Sequence, residues 1–199
     1  ILLSPLFLTV PVLIKLDSHG PGYYRQQRIG KNGRPFIIYK FRSMCNNADT
    51  LLQKLTPEQW AEYNSNYKLK ADFRITKIGG FLRKTNIDEL PQLLNIFAGQ
   101  LSFIGPRPVV QKETEKYGVH RDLFLSVTPG LTGYWQVHRK PDTTYEQRIE
   151  MELYYIRNRT LAMDIRLLFQ TVTVLFHGAG SSSAISWIAS KLSEVHAEK

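Results

Sequence analysis

Arg83-Lys84-Thr85-Asn86-Ile87-Asp88-Glu89-Leu90-Pro91-Gln92, with Gly105-Pro106-Arg107-Pro108 shortly after it, is the stretch on which the fold turns. It sets two adjacent carboxylates among cations. Asp88 fits a helix N-cap, Glu89 suits the first turn of a helix dipole, and Pro91 is tolerated there because its missing N–H would have had no partner. From Leu90 the apolar spacing is helical as far as Phe97, and Gly99 ends it. The same pair also suits chemistry. Arg83 and Lys84 lie upstream and Arg107 downstream, each able to hold a phosphate. Adjacent carboxylates divide naturally into one that attacks and one that holds a metal. On the residues alone, capping and catalysis both stay open. Two prolines fix the backbone around Arg107, so its guanidinium fork has little freedom to lose on binding a phosphate. The alternative there is a rigid turn with an exposed arginine.

Upstream, residues 23–29 and 35–41 read as strands joined by the hairpin-type pair Asn32-Gly33. Alternation along the second strand puts Lys40 and Arg42 on one side and Phe41 toward the core. That makes a small cationic face for phosphate or lipid headgroups, or simply a solvated one. Helices are expected over 48–55 and from Thr56-Pro57, as cap and first position, to about residue 67. Residues 68–78 read as irregular, and Gly79-Gly80 as a break. Downstream, 102–108 reads as a short strand or loop, 109–117 as a helix, 121–127 as a short helix or extended run, 129–133 as a loop and 134–137 as strand-like. Residues 144–158 fit a helix. Residues 161–176 fit a strongly apolar one, on which Ile165, Leu168, Phe169, Val172 and Phe176 share a face. A Gly/Ser linker follows from Gly178, then a short helix with Ile185, Ile188, Leu192 and Val195 as its stripe.

The chain opens in an uncharged apolar run, residues 1–14, interrupted by Pro5. A spanning helix needs about 20 such residues. The start at Ile1 rather than Met reads as part of something longer. Pro5 would kink a helix, with Ser4 placed to satisfy a freed backbone group. A re-entrant helix that enters and leaves a membrane by one face is one reading. A buried core helix or the end of an ordinary span are the others. No signal-peptide pattern is visible.

The 199 residues suffice for one domain with a core. A formal charge of +9 implies an anionic partner: nucleic acid, lipid headgroups or a phosphorylated substrate. The single cysteine, Cys45, excludes an internal disulfide, fits a reducing compartment and reads as an incidental thiol. The five histidines lack metal-ligand spacing. There is no Walker loop, dinucleotide fingerprint or nucleophile elbow.

Taken in order and spacing, several pieces resemble one family. They are Lys40-Phe41-Arg42-Ser43-Met44, Arg74-Ile75-Thr76, residues 79–83, Asp88-Glu89-Leu90-Pro91-Gln92-Leu93-Leu94-Asn95, residues 102–108, and Pro129-Gly130-Leu131-Thr132-Gly133. The chain resembles the monotopic phosphoglycosyl transferases of bacteria, the bacterial sugar transferases, from Ser4-Pro5 to about residue 176. The resemblance implies a helix-rich α/β fold with few short strands. It implies a single compact catalytic domain over 17–177, a re-entrant membrane helix over 1–16 broken at Ser4-Pro5, interfacial amphipathic helices, and a linker and terminal helix over 178–199 outside the family pattern. It further implies transfer of a sugar-1-phosphate from a UDP-sugar to undecaprenyl phosphate with release of UMP, at the cytoplasmic face of the bacterial inner membrane. Asp88 would be the nucleophile and Glu89 the ligand of a magnesium ion. Arg107, with Lys40, Arg42, Arg74 and Arg83, would bind substrate phosphate. Membrane lipids are expected partners and nucleic acid is not; self-association and the identity of the sugar stay open. Phe73 departs from the pattern, which usually has proline there. The opposing hypothesis is a non-enzymatic basic module that binds membrane or nucleic acid by charge alone.

Overall fold

In the computed structural model, which describes residues 4–66, 69, 71–140 and 142–177, the apolar start is a helix, α1 (Ser4–Asp17). Ser4 and Pro5, the expected break of the re-entrant segment, stand in its first turn, and residues 1–3 of that segment lie outside the described residues. The proline inside the helix is Pro11. Its missing N–H leaves the carbonyl of Phe7 without an intrahelical donor, and the Tyr23 hydroxyl donates to that oxygen at 2.6 Å. Gly22 lies so close that a Cβ there would stand 2.5 Å from Pro11 Cβ. Among the described residues no helix is long and apolar enough to cross a membrane.

β1 (Tyr23–Ile29) and β2 (Pro35–Phe41) pair antiparallel, Tyr23 opposite Phe41 and Ile29 opposite Pro35. Asn32 and Gly33 take the positive φ values, 57° and 73°, that a tight hairpin turn needs. α2 (Ala48–Leu52) and α3 (Pro57–Asn66) follow. Thr56 and Gln59 cap α3 reciprocally, side chain to backbone N–H in both directions.

The expected break at Gly79-Gly80 is instead the interior of α4 (Lys77–Thr85). Thr76 caps it through Gly79 N–H, and the Asp17 carboxylate accepts from Ile78 N–H. The glycine is there for proximity: a Cβ on Gly79 would fall 1.9 Å from the Ser43 carbonyl. A 3₁₀ turn (Ile87–Gln92) and α5 (Leu93–Phe97) complete this part, and Gly99 at φ 70° ends α5.

The chain packs as two units. The first takes in the described residues up to Ile29 and over Arg34–Leu101; the second takes in Gly30–Gly33 and the described residues from Ser102. The core of the first unit is Val10 and Ile14 of α1, Phe41 of β2 and Leu82 of α4, with Ile87 and Leu90 packed on it. On the opposite face of β2, Phe36 and Ile38 pack with Leu101 and Ile96.

In the second unit, β3 (Ser102–Ile104) is followed by α6 (Gln111–Thr114), a 3₁₀ segment (Glu115–His120) and α7 (Arg121–Leu125). The expected 129–133 loop contains β4 (Gly130–Thr132), parallel to β3. The strand-like 134–137 piece is a helix, α8 (Tyr134–His138), with its rings at i and i+4 stacked at 4.0 Å and His138 Nδ1 2.8 Å from the Tyr134 carbonyl. α9 (Tyr145–Asn158) starts at a Thr144–Gln147 capping box, and α10 (Leu161–His177) ends the described chain. Of the apolar stripe read on α10, Ile165, Leu168, Phe169 and Val172 are exposed, as is Leu161, while Leu167 and Gln170 are buried; the Phe176 side chain lies outside what is described. The linker and terminal helix expected after residue 177 lie outside the described residues.

Candidate active site

Asp88 does not cap a helix. The cap position of its 3₁₀ turn is Asn86, at φ 56°, whose side chain makes no cap hydrogen bond, and the cap position of α5 is Gln92. That removes the capping reading for Asp88. Ile87 and Leu90, on either side of the two carboxylates, are pinned to the core, so Asp88 and Glu89 sit on a turn held from below.

Asp88 is 8% exposed. Burial, and then the neighbouring Glu89 charge, lift its carboxyl from the ordinary 3.8 to about 6, against the opposing pull of Lys40 and Arg83. Lys40 Nζ donates to Glu89 Oε1 at 2.6 Å. Lys40 stands near the end of β2, the strand that packs on the Asp88 turn. Arg83 comes from the last turn of α4, where its Nε donates to Ser43 Oγ at 2.8 Å.

Four of the expected residues, Asp88, Glu89, Lys40 and Arg83, are thus brought together in the first unit. Among the described residues no three metal-ligating side chains cluster; the adjacent carboxylates of Asp88 and Glu89 could supply the one or two protein ligands that magnesium takes beside phosphate oxygens and water.

Two expected phosphate ligands are engaged elsewhere. Arg42 is 5% exposed, and its guanidinium donates to the carbonyls of Ser18, His19 and Pro21 at 2.7 to 2.9 Å. It clasps the turn between α1 and β1, so the Lys40/Arg42 cationic face does not form. The strand ends at Phe41, and Arg42 turns inward. Arg74 is also buried and forms a two-pronged pair with Asp72, Nε to Oδ1 at 2.8 Å and Nη2 to Oδ2 at 2.7 Å. Phe73 between them is 52% exposed.

Arg107 stands in the second unit, half-buried, on the loop after β3. Gly105 N–H donates to the Thr132 carbonyl at 3.0 Å, and Gly130 N–H to the Pro106 carbonyl at 2.8 Å. The backbones meet so closely that a Cβ on Gly130 or on Gly133 would lie 2.1 Å from Gly105 atoms. The Pro129–Gly133 motif is therefore the cradle of the Arg107 loop.

Asn95, the last residue of the Asp88–Asn95 motif, is fully buried. It accepts from Tyr39 N–H at 3.2 Å and donates to the Ile37 carbonyl at 2.6 Å and to Gln100 Oε1 at 2.7 Å. Its amide continues the sheet from the edge of β2 and locks α5, and with it the Asp88 turn, to the strand that carries Lys40.

An acidic pair on a fixed turn, with Lys40 of β2 and Arg83 of α4 beside it, has the charge pattern that suits phosphate chemistry. The bacterial sugar transferase model matches residues 1–178, and the chain belongs to that family. It is 42% identical over 184 residues to the exopolysaccharide production protein ExoY of Sinorhizobium fredii, covering 91% of this chain and 81% of that protein. It is equally similar, 42% over 184 residues, to the undecaprenyl-phosphate galactose phosphotransferase of Salmonella typhimurium, covering 91% of this chain but 38% of the relative. Similarity to the UDP-glucose:undecaprenyl-phosphate glucose-1-phosphate transferase of Klebsiella pneumoniae is 37% over 182 residues, 86% of this chain and 36% of the relative. The chain therefore spans most of ExoY and well under half of the other two.

Proposed function

We propose that this chain transfers a sugar-1-phosphate from a UDP-sugar to undecaprenyl phosphate at the cytoplasmic face of a bacterial inner membrane, releasing UMP. Family membership and the names of the relatives support the reaction class. The observation that carries the residue assignment is Asp88 itself: a buried carboxylate that caps nothing, on a core-pinned turn beside Glu89, Lys40 and Arg83.

In this reading an Asp88 oxygen attacks the sugar-linked phosphorus in line. The bond from that phosphorus to the bridging oxygen breaks, and UMP leaves with the electron pair. An oxygen of undecaprenyl phosphate then attacks the same phosphorus and expels the carboxylate, giving the lipid diphosphate sugar and restoring Asp88. Lys40 and Arg83 offset the anionic charge around Asp88, and Arg107 holds donor phosphate. Glu89, with Asp88 next to it, is the place for a magnesium ion, which when bound supplies charge neutralisation for the diphosphate. Exposed apolar side chains on α1 (Leu8, Val12, Leu13 and Leu16) and on α10 offer contacts to lipid.

The test is UMP release from a panel of UDP-sugars with magnesium and undecaprenyl phosphate. Wild type should turn over at least one donor, and Asp88→Asn none. Turnover by Asp88→Asn at the wild-type rate would refute the assignment.

A further inference from the structure

In Pro106-Arg107-Pro108 the one backbone donor is the Arg107 N–H, since neither proline has one. It donates to Glu152 Oε1 at 3.2 Å. Glu152, on α9, is 1% exposed. The same oxygen accepts from Arg148 Nε at 3.3 Å, and the Tyr117 hydroxyl donates to Oε2. Arg148 also reaches Glu113 Oε2 at 3.6 Å, an oxygen to which the Tyr145 hydroxyl donates at 3.0 Å. The Arg148 guanidinium lies over the Trp135 and Tyr145 rings, 5.1 and 5.0 Å from their centroids.

Buried ion pairs of this kind are a weak source of stability, because well-packed apolar residues often do as well. A different function is visible in the bonding. The β3–β4 contacts fix Gly105 and Pro106, and Glu152 fixes the next residue, through an acceptor that is itself immobilised by Arg148 and Tyr117.

We propose that Glu152 is a positioning residue for the transfer reaction, holding the Arg107 backbone so that its guanidinium meets donor phosphate in one place. This rests on the reading of Arg107 as a phosphate ligand.

The test is a double-mutant cycle on UMP release, run with a UDP-sugar that wild type turns over, beside thermal melts. Glu152→Gln retains an oxygen for the Arg107 N–H and should stay within about threefold of wild-type kcat/KM. Glu152→Leu removes the acceptor and should lose about a hundredfold, the scale of an ångström-level misplacement. In Arg107→Ala/Glu152→Leu the activity loss should not exceed that of Arg107→Ala alone, while the losses in melting temperature add. Multiplying activity losses would overturn the inference. Should Glu152→Leu fail to fold, Glu152→Gln decides: a drop beyond about tenfold at unchanged melting temperature overturns it. A fully active Arg107→Ala would instead remove the phosphate role of Arg107, and this inference with it.

Discussion

Asp88 carries a cost in stability that its proposed chemistry explains. Its carboxyl, lifted to about 6 by burial and by Glu89, keeps a proton in the native state where the unfolded chain, near 3.8, has released it. Between these two values the fold loses stability as pH rises, and above 6 the whole penalty is present, roughly 2–3 kcal/mol. Asp88→Asn, in chelator, should therefore melt higher than wild type at pH 8, with the gain gone near pH 4. An unchanged or lower melting temperature at pH 8 would show that the site does not penalise the anion. Arg42 and Arg74 teach the opposite lesson. Residue type and alternation place a cation at each position, but they do not register the nearby carbonyls of 18–21 or the carboxylate two residues before Arg74, which claim those guanidinium groups. Glu152 had a visible signal: Arg148 and Glu152 fall in the same register as Tyr145 and Ile156 on the buried face of α9.

Among the elements, β2 and α5 are joined by Asn95 more than by apolar contact alone. Asn95→Ala would strip bonds from Tyr39 N–H and the Ile37 carbonyl. A loss of about 2–4 kcal/mol is expected in denaturant unfolding, with a fall in activity, because the Asp88 turn loses its tether. Unfolding at the wild-type midpoint would contradict the tether. The hairpin was legible because Asn32-Gly33 encodes its turn locally. The α9 and α10 helices were legible from spacing. β3 and β4 were only partly so, because three-residue strands are too short for a period to show. α8 was misread because Tyr, Trp and Val suggest a strand, whereas the Tyr134–His138 stack favours a helical turn. Gly79-Gly80 looked like a break because the close approach of Ser43, which requires a glycine, is a tertiary fact.

For the molecule as a whole, a charge of +9 coincides with apolar side chains turned to solvent on α1 in one unit and on α10 in the other. Vesicles containing anionic lipid should therefore sediment the protein. Ile165→Asp/Phe169→Asp should weaken that binding by about tenfold or more while leaving the melt unchanged; equal binding would remove α10 from the lipid contact. The proposed reaction passes through one covalent bond, between Asp88 and the sugar-linked phosphorus. It is tested most directly by the intact mass of the protein incubated with magnesium and a UDP-sugar that supports turnover, with no undecaprenyl phosphate present. A gain of one sugar-phosphate, mapped to the peptide containing Asp88 and absent from Asp88→Asn, is the predicted result. UMP release that occurs only when the lipid acceptor is present, with no adduct at any time, would contradict it.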